Sequence, residues 1–514
     1  TECFKRLRGM WAVVIWDKRT KSLIVSRDRI GLKPLYVYKC GGEYVFASEI
    51  KAIISYRPQA ADVDFLASYR FIGRAWQDFT ERTFFKQIKA VGPGTVMVFC
   101  SDQVRKYSFW SFQACPDETM TSEDFYHVFE DTIKRHLQSD VPVGIALSGG
   151  IDSGAIACVA SNALGMEDNL HAFSVCPPDT QNESCLIDAT VRHTRIKHTY
   201  VSLEDLDYPS LLDEMICFHD EPPPKVNHFY QFLLRRWVGE YGYKVMLAGE
   251  GADEVLGGYA KYSPMYLATM LKEGRHDCVD SFLMGAKELT GKTSEELLDS
   301  AKQFVISGVG ARLVQQNIYG QEFFIPELRY ADEIAFSEFD YPELSHVDEP
   351  TYLYKEMRDR FRIDMGMVLK IEDRNGMSRG LEVRSPFLDH ILVEEAYKFP
   401  QSSYMMNGYN KAPFRNAIKH ILTPQILTTR KKMRRPGSER YVVYDKLAES
   451  IRDIFESNSF CNSGIWNQNL KNMFEADLAA RDFHHSFVWF RFYVFFRWME
   501  LRINNHGLNS LSLN

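Results

Sequence analysis

The chain has no Cys-x-x-Cys pair and no Cys/His run with metal-ligand spacing; its ten cysteines are scattered. They read as reduced thiols of a cytosolic, cytoplasmic protein and not as a disulfide framework. A basic excess is also missing: 61 Lys and Arg stand against 68 Asp and Glu, for a net charge of −7. No nucleic acid partner is expected from that balance. No segment supplies the ~20 uninterrupted apolar residues of a membrane span. The richest, SFVWFRFYVFFRWMEL at 486 to 501, is broken by Arg491 and Arg497. Its helical spacing predicts docking onto the body of the protein, with no membrane role. No signal peptide, internal repeat or low-complexity tract is visible. The Gly-Lys-Ser/Thr phosphate loop is absent too, so a nucleotide site here needs another construction.

What is present describes a folded protein with ample core. Hydrophobic residues make up 45% and charged residues 25% of 514, enough for two or three domain-sized units. The pattern changes near residue 107. Before it, SLIVSRD, EYVFASE and TVMVFC predict an antiparallel, layered sheet, with a sharp turn at GPGT, residues 92 to 95. Residues 107 to 124 have linker composition. Beyond them, helices expected at 122–137, 153–163, 183–194 and 208–217 alternate with strands at 143–147, 171–175, 198–202 and 244–248. That alternation is the sequence form of a doubly wound parallel sheet, α/β in class. After Gly258 the pattern is predominantly helical.

Val141 to Ser153 reads VPVGIALSGGIDS: an apolar strand, a Ser-Gly-Gly turn, then small helix-compatible residues. Gly149 and Gly150 let a ligand approach the backbone, and the free N–H groups of a helix start, flanked by Ser148 and Ser153, suit phosphate oxygens. A plain strand-to-helix turn is the alternative. Asp152 beside phosphates makes sense if a magnesium ion lies between them. Lys244 to Tyr259 reads KVMLAGEGADEVLGGY and repeats the design with Glu250, Asp253 and Glu254. Three carboxylates in five residues repel unless a cation holds them, although a solvated acidic turn would look similar. Two Gly-rich turns at two strand ends point to one crevice.

SGGIDS at 148–153, AGEGADE at 248–254 and LEVRSPFLDH at 381–390, in that order, resemble the asparagine synthetase family of glutamine-hydrolysing type. RLRGMWAVVIWD at 6–17 and SRDRIGLKPLY at 26–36 resemble the back half of that family's N-terminal glutaminase domain. The resemblance implies a partial glutaminase domain of antiparallel α+β, Ntn type over 1–107. It implies a synthetase domain over 108–514, with a doubly wound sheet of the PP-loop ATP pyrophosphatase type and a helical C-terminal region. It implies ATP and Mg2+ as cofactors, and amidation of aspartate or another small carboxylic acid through an acyl-adenylate. Nitrogen comes from glutamine in the complete family pattern, and from ammonia for a chain that opens mid-domain at Thr1; a homodimer is an expected assembly. Carried over by position, Ser148, Gly149, Gly150, Asp152 and Ser153 hold pyrophosphate. Leu147, Val175, Ala248 and Gly249 line the adenosine pocket, and Asp152 and Asp253 bind the metal. Glu250 serves adenylate formation and the incoming amine, Lys411 in NGYNKAPFRNA neutralises the departing pyrophosphate, and Asp28 matches a glutamine-binding position.

Several residues carry two readings. Lys411 alone would pass for a surface lysine. Arg384 suits a substrate contact or a structural ion pair. Lys225, Asn227 and His228, after the stiff Pro222 to Pro224 run, suit a carboxylate pocket or a plain loop. His219 and His228 lack metal-ligand spacing. The basic run at 430–440 reads as a lid or as a solvated loop. Thr1 and Cys3 are not expected to act as nucleophiles. Glutamate at 250, where ring-closing relatives carry tyrosine, argues for intermolecular amidation. The remaining alternatives are another acid in a surface-polysaccharide or natural-product pathway, or a nucleotide-binding regulator without chemistry.

Overall fold

The computed structural model describes residues 2–75, 77–78, 80–100, 103–111, 119–175, 181–307, 323–324, 352–430 and 438–503. Seven strands precede residue 109: β1 (Ala12–Asp17), β2 (Ser22–Arg27), β3 (Tyr36–Cys40), β4 (Glu43–Ala47), β5 (Ile88–Ala90), β6 (Thr95–Phe99) and β7 (Val104–Ser108). They form two antiparallel sheets, in the orders β1-β2-β6-β7 and β4-β3-β5. Val25, Leu35, Val91 and Phe99 bury a small core with Val37, Tyr44 and Phe46, so the two sheets face each other. Helix α1 (Phe65–Arg74) follows within this region.

The second half is built on five parallel strands: β8 (Val143–Ala146), β9 (Leu170–Val175), β10 (Lys197–Val201), β11 (Val245–Leu247) and β12 (Glu382–Arg384). Their spatial order is β10-β9-β8-β11-β12, which reverses direction between β8 and β11. Helix α2 (Ser122–His136) enters the region, with Thr121 and Asp124 closing a reciprocal capping box. Then α3 (Ile151–Cys158), α4 (Gln181–Thr194), α5 (Tyr208–His219) and α6 (Val226–Glu240) connect the strands. Side-chain alternation sends Val143, Ile145, Ala172 and Leu247 to one core, shared with α3. Phe173, Val175, Val201 and Met246 go to another, shared with α6. Both faces of the sheet are therefore covered, and all six residues of β9 are buried.

Two elements were not expected. The segment after Pro224 is not an extended loop but the start of α6, because Val226, Phe229, Tyr230 and Leu233 recur at helical spacing and are buried. The three-residue strand β12 is too short to show a period in the sequence, yet it pairs with β11 in register Val245↔Glu382.

Beyond Gly258 the described chain is mainly helical, with α7 (Ala252–Leu256) leading into it, the long α8 (Tyr352–Met377), α9 (Ala412–Ile418) and the aromatic α10 (Phe483–Trp498). Among the described residues no helix is long and apolar enough to cross a membrane. Helix α10 is instead core: Val488, Trp489, Phe492, Val494 and Trp498 are fully buried, each large side chain contributing about 1.5–3 kcal/mol. Arg491, one of the two residues that break its apolar run, donates to the Ile72 carbonyl of α1 at 2.7 Å, and burial pushes its pKa down to about 10.

Helix α8 ties the antiparallel and parallel halves together through buried charges. Lys370 Nζ lies 2.5 Å from both Asp78 Oδ2 and Glu221 Oε2, and Arg374 reaches Glu49 at 3.0 Å. Glu221 also accepts from the Phe84 N–H at 2.7 Å, and Asp220 from the Ile50 N–H at 2.8 Å. Such pairs offset their own desolvation only with good geometry, so they specify a docking arrangement more than they add stability.

His219 is buried in the same region, and its Nε2 donates to Asn375 Oδ1 at 2.8 Å. Burial lowers its pKa from 6.5 to about 3. A depressed folded-state pKa means the unfolded chain binds the proton first, so this contribution is complete above pH 6.5 and is lost as pH falls towards about 3. His219→Gln is expected to flatten the fall in unfolding free energy over that window, measured by denaturant titration at stepped pH. An unchanged slope would show that His219 does not carry it.

Candidate functional site

The reversal of strand order between β8 and β11 leaves a crevice at their carboxyl ends. Both Gly-rich turns open into it. Residues from the two turns, α6, α9 and neighbouring loops line a cleft of about 920 Å3, the size of a ligand site.

The first turn is organised from within. The Ser148 N–H donates to Ser153 Oγ at 3.0 Å, the two hydroxyls are 3.0 Å apart, and the Gly150 N–H donates to Ser148 Oγ at 3.2 Å. Gly150 caps α3 without a side-chain acceptor, so the first N–H groups of α3 point into the crevice end of the helix. A side chain at Gly149 would lie 3.0–3.1 Å from Glu183 and Leu186 on α4. The second turn packs on the first: a Cβ at Gly249 would be 3.2 Å from the Asp152 Cβ and 3.3 Å from the Ser153 nitrogen.

Lys411 closes the site. Its Nζ sits 2.6 Å from Asp152 Oδ1 and 2.7 Å from Asp253 Oδ1, and the residue is 2% exposed. The surface-lysine reading is therefore wrong. Lys411 occupies left-handed backbone, φ 51°, at the start of α9, a conformation that costs a non-glycine residue about 1–3 kcal/mol and needs its surroundings to enforce it. Arg415, one turn later, supplies that: it donates to the carbonyls of Asn410, Leu427 and Thr429 at 2.7–2.9 Å. Burial pushes the Arg415 pKa down to about 10. The Asn410 amide in turn donates to the Gly258 carbonyl.

The remaining acidic residues have distinct settings. Glu250 Oε1 accepts from Gln231 Nε2 at 2.9 Å. Glu254 accepts from the Tyr259 hydroxyl at 2.6 Å, and burial, together with Glu254, pushes Tyr259 well above the usual phenol range. Among the described residues no group of three or more His, Cys, Asp or Glu could hold a metal ion. Asp152 and Asp253 do converge on one cation, the Lys411 ammonium. Two carboxylates around a shared positive charge fit magnesium, which usually takes only one or two protein carboxylates and completes its shell with water and phosphate.

Leu147, Ser148, Gly149, Gly150, Asp152, Ser153, Val175, Ala248, Gly249, Glu250, Asp253 and Lys411 all line this cleft. Asp28 is not among its lining residues. It is fully buried, and its oxygens accept the backbone N–H groups of Trp11, Ile30, Gly31, Leu32 and Lys33 at 2.7–3.3 Å. That carboxylate organises the 28–33 loop; its expected contact with glutamine concerns the antiparallel region, not this cleft. Arg384 pairs with Glu382 at 2.6 Å and donates to the His136 and Gln138 carbonyls, the structural alternative. Lys225, Asn227 and His228 line the cleft; burial drives His228 well below the ordinary histidine range. Of the basic run, 431–437 lie outside the described residues, while Arg430 pairs with Glu288 at 2.5 Å.

Gln231, Tyr259, Arg415 and Gly258 escaped the sequence reading. Gly258 alone had a local signal, the Gly-Gly pair after α7. A Cβ there would sit 2.0 Å from Asp253 Oδ1 and 2.1 Å from Lys411 Cε.

Comparison with known proteins adds the context. A family model described as asparagine synthase matches residues 124–500, and one described as a glutamine amidotransferase domain matches residues 1–110. A putative asparagine synthetase (glutamine-hydrolyzing) 2 of Methanocaldococcus jannaschii is 27% identical over 348 residues, covering 64% of this chain and 66% of its own length. Asparagine synthetase (glutamine-hydrolyzing) 3 of Bacillus subtilis is 26% identical over 451 residues, covering 84% and 67%. Amidase chyE of Penicillium rubens is 24% identical over 482 residues, covering 83% and 69%. The chain spans about two thirds of the length of these curated relatives. A glutamine-dependent NAD+ synthetase from Acinetobacter baumannii, solved with ADP, matches 50% of this chain and 64% of its own at 13% identity, with a TM-score of 0.21, too slight to bear on the fold.

Gly258→Ala tests the clasp. The added methyl must push Asp253 or Lys411 aside, and a loss of about 1–3 kcal/mol in denaturant unfolding is expected. Wild-type stability in this variant would mean that Lys411 and Asp253 are not packed as described.

Proposed function

Because the chain belongs to the asparagine synthase family, we propose that it forms an amide from a carboxylic acid at the expense of ATP. The acid is activated as an acyl-adenylate with release of pyrophosphate, and ammonia displaces AMP. Aspartate is the proposed acid and asparagine the product. The observation that carries this reading is the Lys411 ammonium bridging Asp152 and Asp253 beside an uncapped helix N-terminus.

In this reading Ser148, Gly149, Gly150 and Ser153 cradle pyrophosphate oxygens with backbone N–H groups and hydroxyls, using the positive end of α3. Leu147, Val175, Ala248 and Gly249 line the adenosine, apolar surfaces suited to a flat base. Asp152 and Asp253 would hold magnesium, which when bound neutralises phosphate charge and orients the leaving group. Lys411, held between the same two carboxylates, would offer its ammonium to the phosphates. Attack of the acid's carboxylate on the α-phosphorus builds charge on the pyrophosphate, and Lys411 stabilises it from a preorganised, water-poor position. Glu250, one residue past Gly249 at the mouth of the same crevice, accepts a proton from the attacking nitrogen. Glutamine is proposed as the nitrogen donor, supported by the amidotransferase match over 1–110, with free ammonia able to take its place.

A second acid has support in the cleft wall. Phe483 and Phe487, one turn apart with rings 5.1 Å between centroids, line the cleft together with Lys225 and His228. An apolar group larger than the aspartate side chain would contact them.

Mass spectrometry after incubation with ATP, magnesium, ammonium and either aspartate or a panel of other acids separates the two. AMP together with asparagine is the expected result, and AMP only with a larger acid would move the substrate. Lys411→Met is expected to lower turnover roughly 10²- to 10³-fold, the loss typical of one preorganised electrostatic group. No AMP with any acid would overturn the reading.

A further inference from the structure

Glu250 leaves the backbone just after β11, and the Gln231 amide from α6 reaches it: Nε2 donates to Oε1 at 2.9 Å. A carboxamide nitrogen only donates, so the oxygen it meets is held as an acceptor and the carboxylate is fixed in orientation. Gln231 is also held in place. Three residues earlier on α6, the His228 carbonyl accepts from Asn375 Nδ2 at 3.3 Å. Four residues later, Arg235 Nη2 meets Glu372 Oε2 at 2.5 Å, with both side chains buried. Both partners belong to α8, so Gln231 lies between two fastenings of α6 to the same helix. His228, Gln231 and Arg235 follow the spacing of one helical face, and all three line the cleft.

We propose that Gln231 is a positioning residue for amide formation, holding the Glu250 carboxylate aimed at the nitrogen nucleophile. The assignment rests on the amide-forming reading above. In that step the ammonia lone pair forms the C–N bond at the adenylate's carbonyl carbon. The bond from that carbon to the AMP oxygen breaks, its electron pair leaving with AMP, and one proton from the nitrogen passes to Glu250 and then to water. A Glu250 carboxylate turned away from the nitrogen cannot accept that proton, and the donor from Gln231 fixes its orientation. The other charged residues that line the cleft are common to wild type and variants, so a difference between them reports Gln231.

The test uses two readouts on the full chain: aspartate-dependent exchange of labelled pyrophosphate into ATP without ammonium, and asparagine formation at saturating ammonium. Gln231→Leu removes the donor at similar size. It is expected to lower kcat for asparagine roughly ten- to hundredfold, with exchange within about threefold of wild type. On a Glu250→Gln background it should add no further loss, since the two residues act as one unit. Gln231→Glu, which sets a second carboxylate against the first, should lose at least as much, and it decides the matter by the same criteria if the leucine variant does not fold. Wild-type asparagine formation, equal losses in both readouts, or losses that simply add to those of Glu250→Gln would overturn the proposal. If the acid panel above selects another acid, that acid replaces aspartate in both readouts; wild-type protein inactive with every acid would overturn the amide-forming reading and this assignment with it, whereas with an active wild type only the variants bear on Gln231.

Discussion

One buried ammonium organises the centre of this molecule. Lys411 joins three segments distant in sequence: the start of α3 through Asp152, the start of α7 through Asp253, and the turn into α9 that carries the lysine itself. Without that cation the two carboxylates would face each other in a poorly hydrated crevice and repel. With it, the Gly-rich ends of β8 and β11 close to van der Waals contact at Gly249, and Gly258 must lack a side chain. The left-handed backbone at Lys411, the Arg415 bonds that hold it and the Asn410 contact to Gly258 all serve the placement of one charge.

A second level of order comes from α8. Its Glu372 and Asn375 fasten α6, which presents Gln231 to Glu250, while its Lys370 and Arg374 engage Asp78, Glu221 and Glu49 from the other side. The antiparallel sheets and the cleft wall thus share one rigid rod.

Sequence reading reached the architecture where periodicity was long and the site where chemistry was concentrated. The βαβ alternation from 122 to 248 was visible because each strand was an apolar run bounded by turn residues. The site turns were visible because glycines and carboxylates cluster there. Helix α6 was hidden by the three prolines before it, which drew attention to an extended segment, and β12 by its length of three residues. That Asp28 accepts five backbone N–H groups is not written in its motif, because a carboxylate there looks the same whatever donors surround it.

Local composition and pattern by themselves determined that this chain builds a two-part α/β protein with a crevice at paired glycine-rich strand ends. Backbone conformational preference and side-chain alternation are short-range, so they are written where they act. Only the tertiary structure decided which side chains share that crevice. The pairing of Lys411 with residues about 160 and 260 positions away, the approach of Gln231 to Glu250 and the commitment of Asp28 to its own loop all depend on how distant segments pack. Those outcomes turn on burial and charge compensation across the whole fold, which no window of sequence contains.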